Sequence, residues 1–166
     1  MTTGSIIVIV FIAILVIVIL TMIEYTKSKR FPSIAFDSIY ESLELPIITL
    51  SNNGKEFNFL VDTGANRSIF DSAYIDNLSY RPIENESGTM YGLDGSIRTI
   101  EYIEIVLTRD EDQFLDVFQL TDLQSAFGRI QQDYGMTIHG VLGNSFLDKY
   151  RCIIEYNNYC MKYKKQ

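Results

Sequence analysis

The chain has little of what several catalytic and metal-binding classes require. Its 166 residues include one histidine, two cysteines and no tryptophan. A histidine-rich metal site is therefore excluded, and we expect neither a metal nor a cofactor. The single histidine, His139, is expected to have a structural role. A nucleophile pair of Cys152 with His139 is disfavoured, because Cys152 lies in an apolar run where thiols are usually inert.

Sequence motifs for phosphate, calcium and nucleic acid are also missing. No Gly-Lys-Ser/Thr sequence accompanies the glycines near Asp94, which excludes a phosphate-binding loop. Asp110-Glu111-Asp112 lacks the twelve-residue pattern of a calcium loop, so we expect a solvated turn there. The net charge is −7, with 21 acidic and 14 basic residues. A nucleic-acid backbone is therefore not an expected partner.

Ionisable side chains are absent from residues 1–23. The apolar run at residues 6–23 contains Thr21 as its only polar residue. At about 1.5 Å per residue a helix of this length spans roughly 27 Å, close to the thickness of the hydrocarbon core of a bilayer. A cleaved signal peptide is the alternative, but the run lacks a basic leading region and a small-residue cleavage site. We therefore predict an uncleaved transmembrane anchor that contacts the lipid bilayer.

Basic residues follow the apolar run, and none precedes it. Lys27, Lys29 and Arg30 all lie within seven positions of Ile23. Positive charge next to a membrane span favours the cytoplasmic side, so we predict a single-pass protein whose folded domain faces the cytoplasm. In that reducing compartment Cys152 and Cys160 are expected to be free thiols.

The remaining chain is predicted to contain a linker at residues 24–44 and one domain at residues 45–166. Part of the linker is apolar and is expected to pack on the domain. Asn53-Gly54 lies between two apolar runs, which predicts a tight hairpin. Thr121 and Gln124 have the spacing of a capping box, so we predict one substantial helix that ends at Gly135.

The most informative stretch is residues 59–65, where an apolar strand ends in Asp62-Thr63-Gly64. An apolar floor tunes the proton affinity of the carboxyl, the hydroxyl can lock the loop, and glycine lets backbone amides approach closely. A strand that simply runs into an Asp-Gly turn is the alternative. A second stretch favours a site, because residues 138–147 place an apolar pair and a glycine before a short apolar helix.

Together the two stretches resemble the retropepsin-like aspartic proteases, over residues 45–162. The resemblance implies an all-β fold, a closed barrel with one substantial helix, in which the downstream strand crosses the loop that carries Asp62. It also implies that Asp62, Thr63 and Gly64 are the catalytic residues, with the hydroxyl bracing the loops and the glycine amide bonding the carboxylate. Asn66 and Asn144 stand where many viral members have Asp and Arg, so an Arg–carboxylate tie is not carried over.

Peptide hydrolysis by carboxylates needs two of them, one as base toward a water and one protonated as acid. This chain supplies one Asp-Thr-Gly sequence. We therefore expect a homodimeric endopeptidase that acts on a polypeptide substrate, with Asp62 of each subunit on the two-fold axis.

A hairpin around residues 89–96 lies between the Asp loop and the crossing strand, where the resembled family folds a flap over the substrate. An ordinary surface hairpin is the alternative. The predicted substrate-binding residues are Ala65, Tyr91, Gly92, Leu93 and Val141.

Two functions from other classes remain open. The first is a catalytically silent module of the same fold that dimerises or binds an extended peptide by strand addition. The second is a small membrane-anchored structural protein in which the Asp-Thr-Gly sequence is coincidental. An intact Asp62 argues against the silent module, because pure binding does not require that carboxylate.

Overall fold

The computed structural model describes residues 3–84, 88–91 and 97–165. The helices are α1 (Thr3–Arg30), α2 (Tyr40–Leu43), α3 (Gln124–Tyr134) and α4 (Asn144–Lys149). The strands are β1 (Ser33–Ala35), β2 (Ile47–Asn52), β3 (Lys55–Val61), β4 (Ser68–Asp71), β5 (Tyr80–Pro82), β6 (Gly88–Tyr91), β7 (Ile97–Arg109), β8 (Asp112–Thr121), β9 (Gly140–Leu142), β10 (Ile153–Glu155) and β11 (Cys160–Lys162).

Six strands form a closed barrel in the order β2-β3-β9-β4-β8-β7. The barrel closes where Ser51 of β2 pairs with Thr108 of β7. Aromatic side chains fill the interior, because alternate residues of each strand point inward; the fully buried ones on strands are Phe59, Phe70, Phe114 and Phe118. Phe146 of α4 is also fully buried and packs against Phe114. The mostly β architecture, the closed barrel and α3, the one substantial helix among the described residues of the domain, confirm the barrel part of the predicted fold class.

The β2–β3 hairpin turns at Asn53 and Gly54, as predicted. Both residues have positive φ, 49° and 78°. Two consecutive positive φ values belong to the tight turn that matches the twist of a hairpin, and Asn-Gly is the preferred sequence for it. The turn fixes the pairing of Ile47 with Leu60, so the end of β3 and the residue after it have a defined place on the barrel.

The predicted capping box at the start of α3 is wrong. The helix begins at Gln124, and no side chain caps it at Leu123. The Gln124 side chain instead donates to Asp71 Oδ2 at 2.6 Å. Asp71 is fully buried, and a buried carboxylate needs donors, so Gln124 reaches across to it and not back to Thr121. Gly135 ends the helix as predicted, with φ of 69°.

The apolar run at residues 6–23 lies within α1. Among the residues that the structure describes, no helix has the combination of length and apolar character needed to cross a membrane.

A small second sheet packs part of the predicted linker on the domain. Its strand order is β1-β11-β10. Ile34 and Phe36 are buried in the same core as the barrel residues. The folded part of the chain therefore starts near Ser33, upstream of the predicted domain boundary at residue 45. Both cysteines of the C-terminal region, Cys152 and Cys160, are free thiols.

Candidate active site

Asp62 lies directly after β3, next to the buried Val61 that ends the strand. Its backbone N–H donates to the Leu142 carbonyl at 3.1 Å. Its half-buried carboxylate accepts the Gly64 N–H on Oδ1 at 2.8 Å. A Cβ at Gly64 would lie 3.1 Å from that same oxygen, so the absence of a side chain allows the amide to approach. The loop therefore holds one carboxylate oxygen by a backbone donor.

Strand β9 forms backbone pairs with the strands on both sides of this loop. It pairs in parallel with β3, through Val61 and Leu142, and antiparallel with β4, through Ile69 and Val141. The loop leaves β3 and returns as β4, so the strand between them fixes where it begins and ends. The predicted crossing of the Asp loop by residues 140–142 is thus what the structure shows.

Gly143, just after β9, lies against the loop backbone. A Cβ there would be 2.4 Å from the Arg67 carbonyl oxygen and 2.8 Å from the Ala65 carbonyl oxygen. Those distances are shorter than any van der Waals contact. Only glycine therefore fits between the crossing strand and the loop.

The first turn of α4 adds three hydrogen bonds to the loop. Asn144 donates its backbone N–H to the Ala65 carbonyl at 2.8 Å and its side-chain Nδ2 to the Thr63 carbonyl at 2.9 Å. Ser145 donates its N–H to the Asn66 carbonyl at 3.1 Å. Asn144 therefore holds the loop through the carbonyl groups of Thr63 and Ala65. This role of Asn144 was not predicted from the sequence, although its place immediately after Gly143 could have indicated one.

The structure brings most of the predicted site residues together at this loop. Thr63 and Gly64 are exposed at its tip, and Ala65 is half-buried. Val141 lies inside β9 with 5 % of its surface exposed. Little of the Val141 side chain is therefore open to a ligand in a single chain, and its role in substrate binding stays a prediction.

The predicted flap is described in part. β6 and β7 form its two strands, and Tyr91 at the end of β6 pairs with Ile97. Gly92 and Leu93 lie outside the described residues. The assignment of Tyr91, Gly92 and Leu93 to substrate binding therefore stays a prediction.

A groove of about 620 Å³ borders the exposed side of the loop. It lies between the loop, α4 and β10, and is lined by Phe31, Thr63, Asn144, Leu147, Asp148, Arg151, Cys152, Ile153 and Ile154. Thr63, which follows Asp62, therefore lies beside a groove lined largely by apolar side chains.

His139 and Cys152 do not form a nucleophilic site. His139 Nδ1 accepts the N–H of Asn58 at 3.0 Å, and its ring packs edge-on against Phe57 and Tyr74. Burial lowers the pKa of His139, so the neutral, structural form is favoured. Burial raises the pKa of the Cys152 thiol to about 12, and a thiol that stays protonated is a poor nucleophile. Within the described ranges no group of histidine, cysteine and acidic residues could hold a metal ion.

Sequence reasoning missed Asp116, a buried acid behind the loop. It lies on β8 with 6 % of its surface exposed, and its Oδ2 accepts the hydroxyl of Ser68 at 2.8 Å. The pattern Phe114-Leu115-Asp116-Val117-Phe118 could have revealed it, because alternation puts Asp116 on the same inward face as the two phenylalanines.

A family model described as aspartyl protease matches residues 48–146, more than half of the 166-residue chain. The match starts in β2 and ends in α4, so it covers the Asp62 loop and the strand that crosses it. No curated protein matches the chain. On the family match and the geometry of its loop, the chain belongs to the aspartyl protease family.

Proposed function

We propose that the chain is an aspartic endopeptidase that hydrolyses polypeptides as a homodimer. The observation that carries this proposal is the Asp62 carboxylate, held by the Gly64 N–H on a loop that β9 and α4 fix in place. The described residues give Oδ1 one backbone donor at 2.8 Å and give Oδ2 none. The oxygen without a donor is available to a water or to a second carboxyl group.

The reaction needs a second carboxyl group that this chain does not supply in the same motif. Two Asp62 side chains facing each other would share one proton, because like charges a few ångströms apart cannot both ionise. The ionised Asp62 takes a proton from the attacking water, and the protonated one donates to the carbonyl oxygen of the scissile peptide.

The exposed loop tip and the apolar groove beside it favour a partner subunit at this surface. Thr63 and Gly64 are exposed at the tip, and the adjoining groove carries apolar side chains from α4 and β10. A second copy that packs there would cover those side chains and would bring its own Asp62 close to the first. Dimer formation is thus coupled to assembly of the site.

Titration with a transition-state analogue tests both the mechanism and the dimer. The probe is a peptide in which a carbon bearing a hydroxyl replaces the scissile carbonyl. We expect cleavage of an unfolded polypeptide to fall linearly and to stop at one inhibitor for every two chains, since one shared site serves both subunits. A peptide of the same sequence without the hydroxyl is the control and should inhibit far more weakly. Inhibition at one probe per chain would contradict the shared site, and absence of cleavage would contradict the peptidase.

We also propose that α1 tethers the enzyme to a lipid bilayer through residues 6–23. Consecutive apolar side chains of α1, from Val10 to Leu20, are exposed on every side of the helix. A helix that is apolar all round does not present one face to a protein core, and lipid is an environment that suits it. The basic residues after the run support a domain on the cytoplasmic side.

Fractionation tests the tether. Full-length protein should stay with membranes after an alkaline wash, whereas a protein that begins at Phe31 should be soluble and folded, because β1 starts at Ser33. A Ser38→Cys variant, at an exposed position, should react with an impermeant thiol reagent only after the cells are opened. Release of the full-length protein by the wash would rule out the tether, and labelling in intact cells would reverse the orientation.

A further inference from the structure

Asp116 occupies a core position that an acid does not normally take. On β8 the inward-facing residues are Phe114, Asp116 and Phe118, with 1 %, 6 % and 0 % of their surface exposed. Burial raises the pKa of Asp116, which shows how unfavourable this place is for a charge. A buried acid costs stability unless hydrogen bonds offset the loss of water. Since no step of the proposed reaction uses it, its position needs another explanation.

The hydrogen bonds of Asp116 lead to the loop that carries Asp62. Its Oδ2 accepts the Ser68 hydroxyl at 2.8 Å. Ser68 is the first residue of β4, immediately after the loop, and is fully buried. The Ser68 hydroxyl oxygen in turn accepts the Gly143 N–H at 3.3 Å. One acid thus joins β8 to the end of the loop and to the crossing strand.

Ser145 completes this cluster from the other side. Its Oγ accepts the Ser68 N–H at 3.1 Å and lies 3.5 Å from the Ser68 hydroxyl oxygen. Its own N–H donates to the Asn66 carbonyl, inside the loop, at 3.1 Å. The loop tip is exposed, so these contacts at its rear decide where the tip is held.

We propose that Asp116 is a positioning residue for Asp62, which it holds in place through Ser68 and Ser145 so that two Asp62 carboxyl groups can share a proton. The inference rests on the proposed peptidase function. This role explains why an acid lies at an inward-facing position. The Asp116 carboxylate accepts the hydroxyl hydrogen of Ser68, which leaves the Ser68 oxygen to accept the Gly143 N–H. An apolar residue at this place would leave Ser68 without its acceptor.

Two substitutions of Asp116 separate positioning from simple stability. Asp116→Leu replaces the buried acid by an apolar side chain of similar size, which removes the cost of burying a carboxylate but leaves the Ser68 hydroxyl without its acceptor. We expect a lower melting temperature and, at a temperature where the variant is folded, a kcat lower by about tenfold or more and a KM within about twofold of the wild type. Asp116→Asn keeps an oxygen that can accept from Ser68 and should recover most of the lost kcat.

A matched control lies on the same strand. Asp112 accepts the Tyr163 hydroxyl at 2.6 Å and pairs with Lys165 at 2.8 Å, at the end of β8 away from the loop. Asp112→Asn should lower the melting temperature and leave kcat unchanged. A fall in kcat of folded Asp116→Leu, with no such fall in Asp112→Asn, is what a structural role alone would not produce. An unchanged kcat in folded Asp116→Leu overturns the inference.

Ser68→Ala gives an independent route to the same result if Asp116→Leu fails to fold. It removes the same hydrogen bond with a smaller change in volume and should lower kcat to a similar extent; an unchanged kcat would overturn the inference. Hydrogen exchange provides a readout that does not depend on activity. The amides of Ser68, Gly143 and Ser145 should exchange faster in Asp116→Leu than in the wild type. If the wild type cleaves no polypeptide, the proposed function fails, and unchanged exchange at these amides would overturn the positioning role separately.

Discussion

Replacing Asp62 with asparagine is expected to lower kcat/KM for an unfolded polypeptide by at least about a thousandfold, because an amide cannot take a proton from water. The fold should survive, since the asparagine oxygen can still accept the Gly64 N–H that Oδ1 accepts at 2.8 Å in the wild type. Peptide cleavage with circular dichroism as a check on the fold is the measurement. Undiminished turnover would falsify the carboxylate mechanism, and loss of structure would make Asp62 a turn residue.

Asp76 offers a matched control for this substitution. It is exposed in the 3₁₀ turn at Ser72–Asn77, so Asp76→Asn makes the same chemical change away from the loop and should leave kcat/KM unchanged. Mixing wild-type and Asp62→Asn chains adds a test of subunit cooperation. When equal amounts of the two chains pair at random, the mixture should have about a quarter of the activity of the same total amount of wild-type protein, since only pairs with two intact carboxyl groups work. A value of one half would indicate independent subunits.

Gly143→Ala is expected to have the second-largest effect. The added methyl group would lie 2.4 Å from the Arg67 carbonyl oxygen and 2.6 Å from its carbonyl carbon. Both neighbours are backbone atoms, so the loop itself must move. We expect the free energy of unfolding to fall by about 1–3 kcal/mol, and activity to fall further than this loss explains, because the displaced loop carries Asp62. Urea unfolding and peptide cleavage are the two measurements.

Gly128→Ala makes the identical chemical change where space is free. Gly128 lies in α3, and a Cβ there would meet nothing within 4 Å. Alanine in place of a helical glycine should raise the free energy of unfolding by about 0.5–1 kcal/mol and leave activity unchanged. Equal effects of the two substitutions would mean that the crossing at Gly143 is looser than the distances indicate.

Local patterns explain which parts of this fold could be predicted. The Asn53-Gly54 turn depends on the preferences of two residues, and the end of α3 at Gly135 depends on one. The Asp62 loop was recognised because its chemistry is concentrated in three consecutive residues. In each case the information needed lies within a few positions of the feature.

Long-range hydrogen bonds explain what could not be predicted. Gln124 reaches Asp71, which lies 53 positions away, and Ser68 reaches Asp116, which lies 48 positions away. A sequence shows that Asp71 and Asp116 are acids among apolar residues, but not which donors the barrel brings to them. The capping box failed for this reason. The tie between Asn144 and Thr63 was missed for the same reason, because the two residues are 81 positions apart.

The same separation has a consequence for the order in which the enzyme is made. Chains emerge from the ribosome from the N-terminus, so Asp62 is synthesised long before β9 and α4. A chain that has reached only β8 carries the carboxylate but lacks Gly143, Asn144 and Ser145, the residues that hold its loop in the finished structure. An incomplete chain is therefore expected to have no peptidase activity, which protects its own unfolded segments and neighbouring nascent chains until almost the whole domain has been translated.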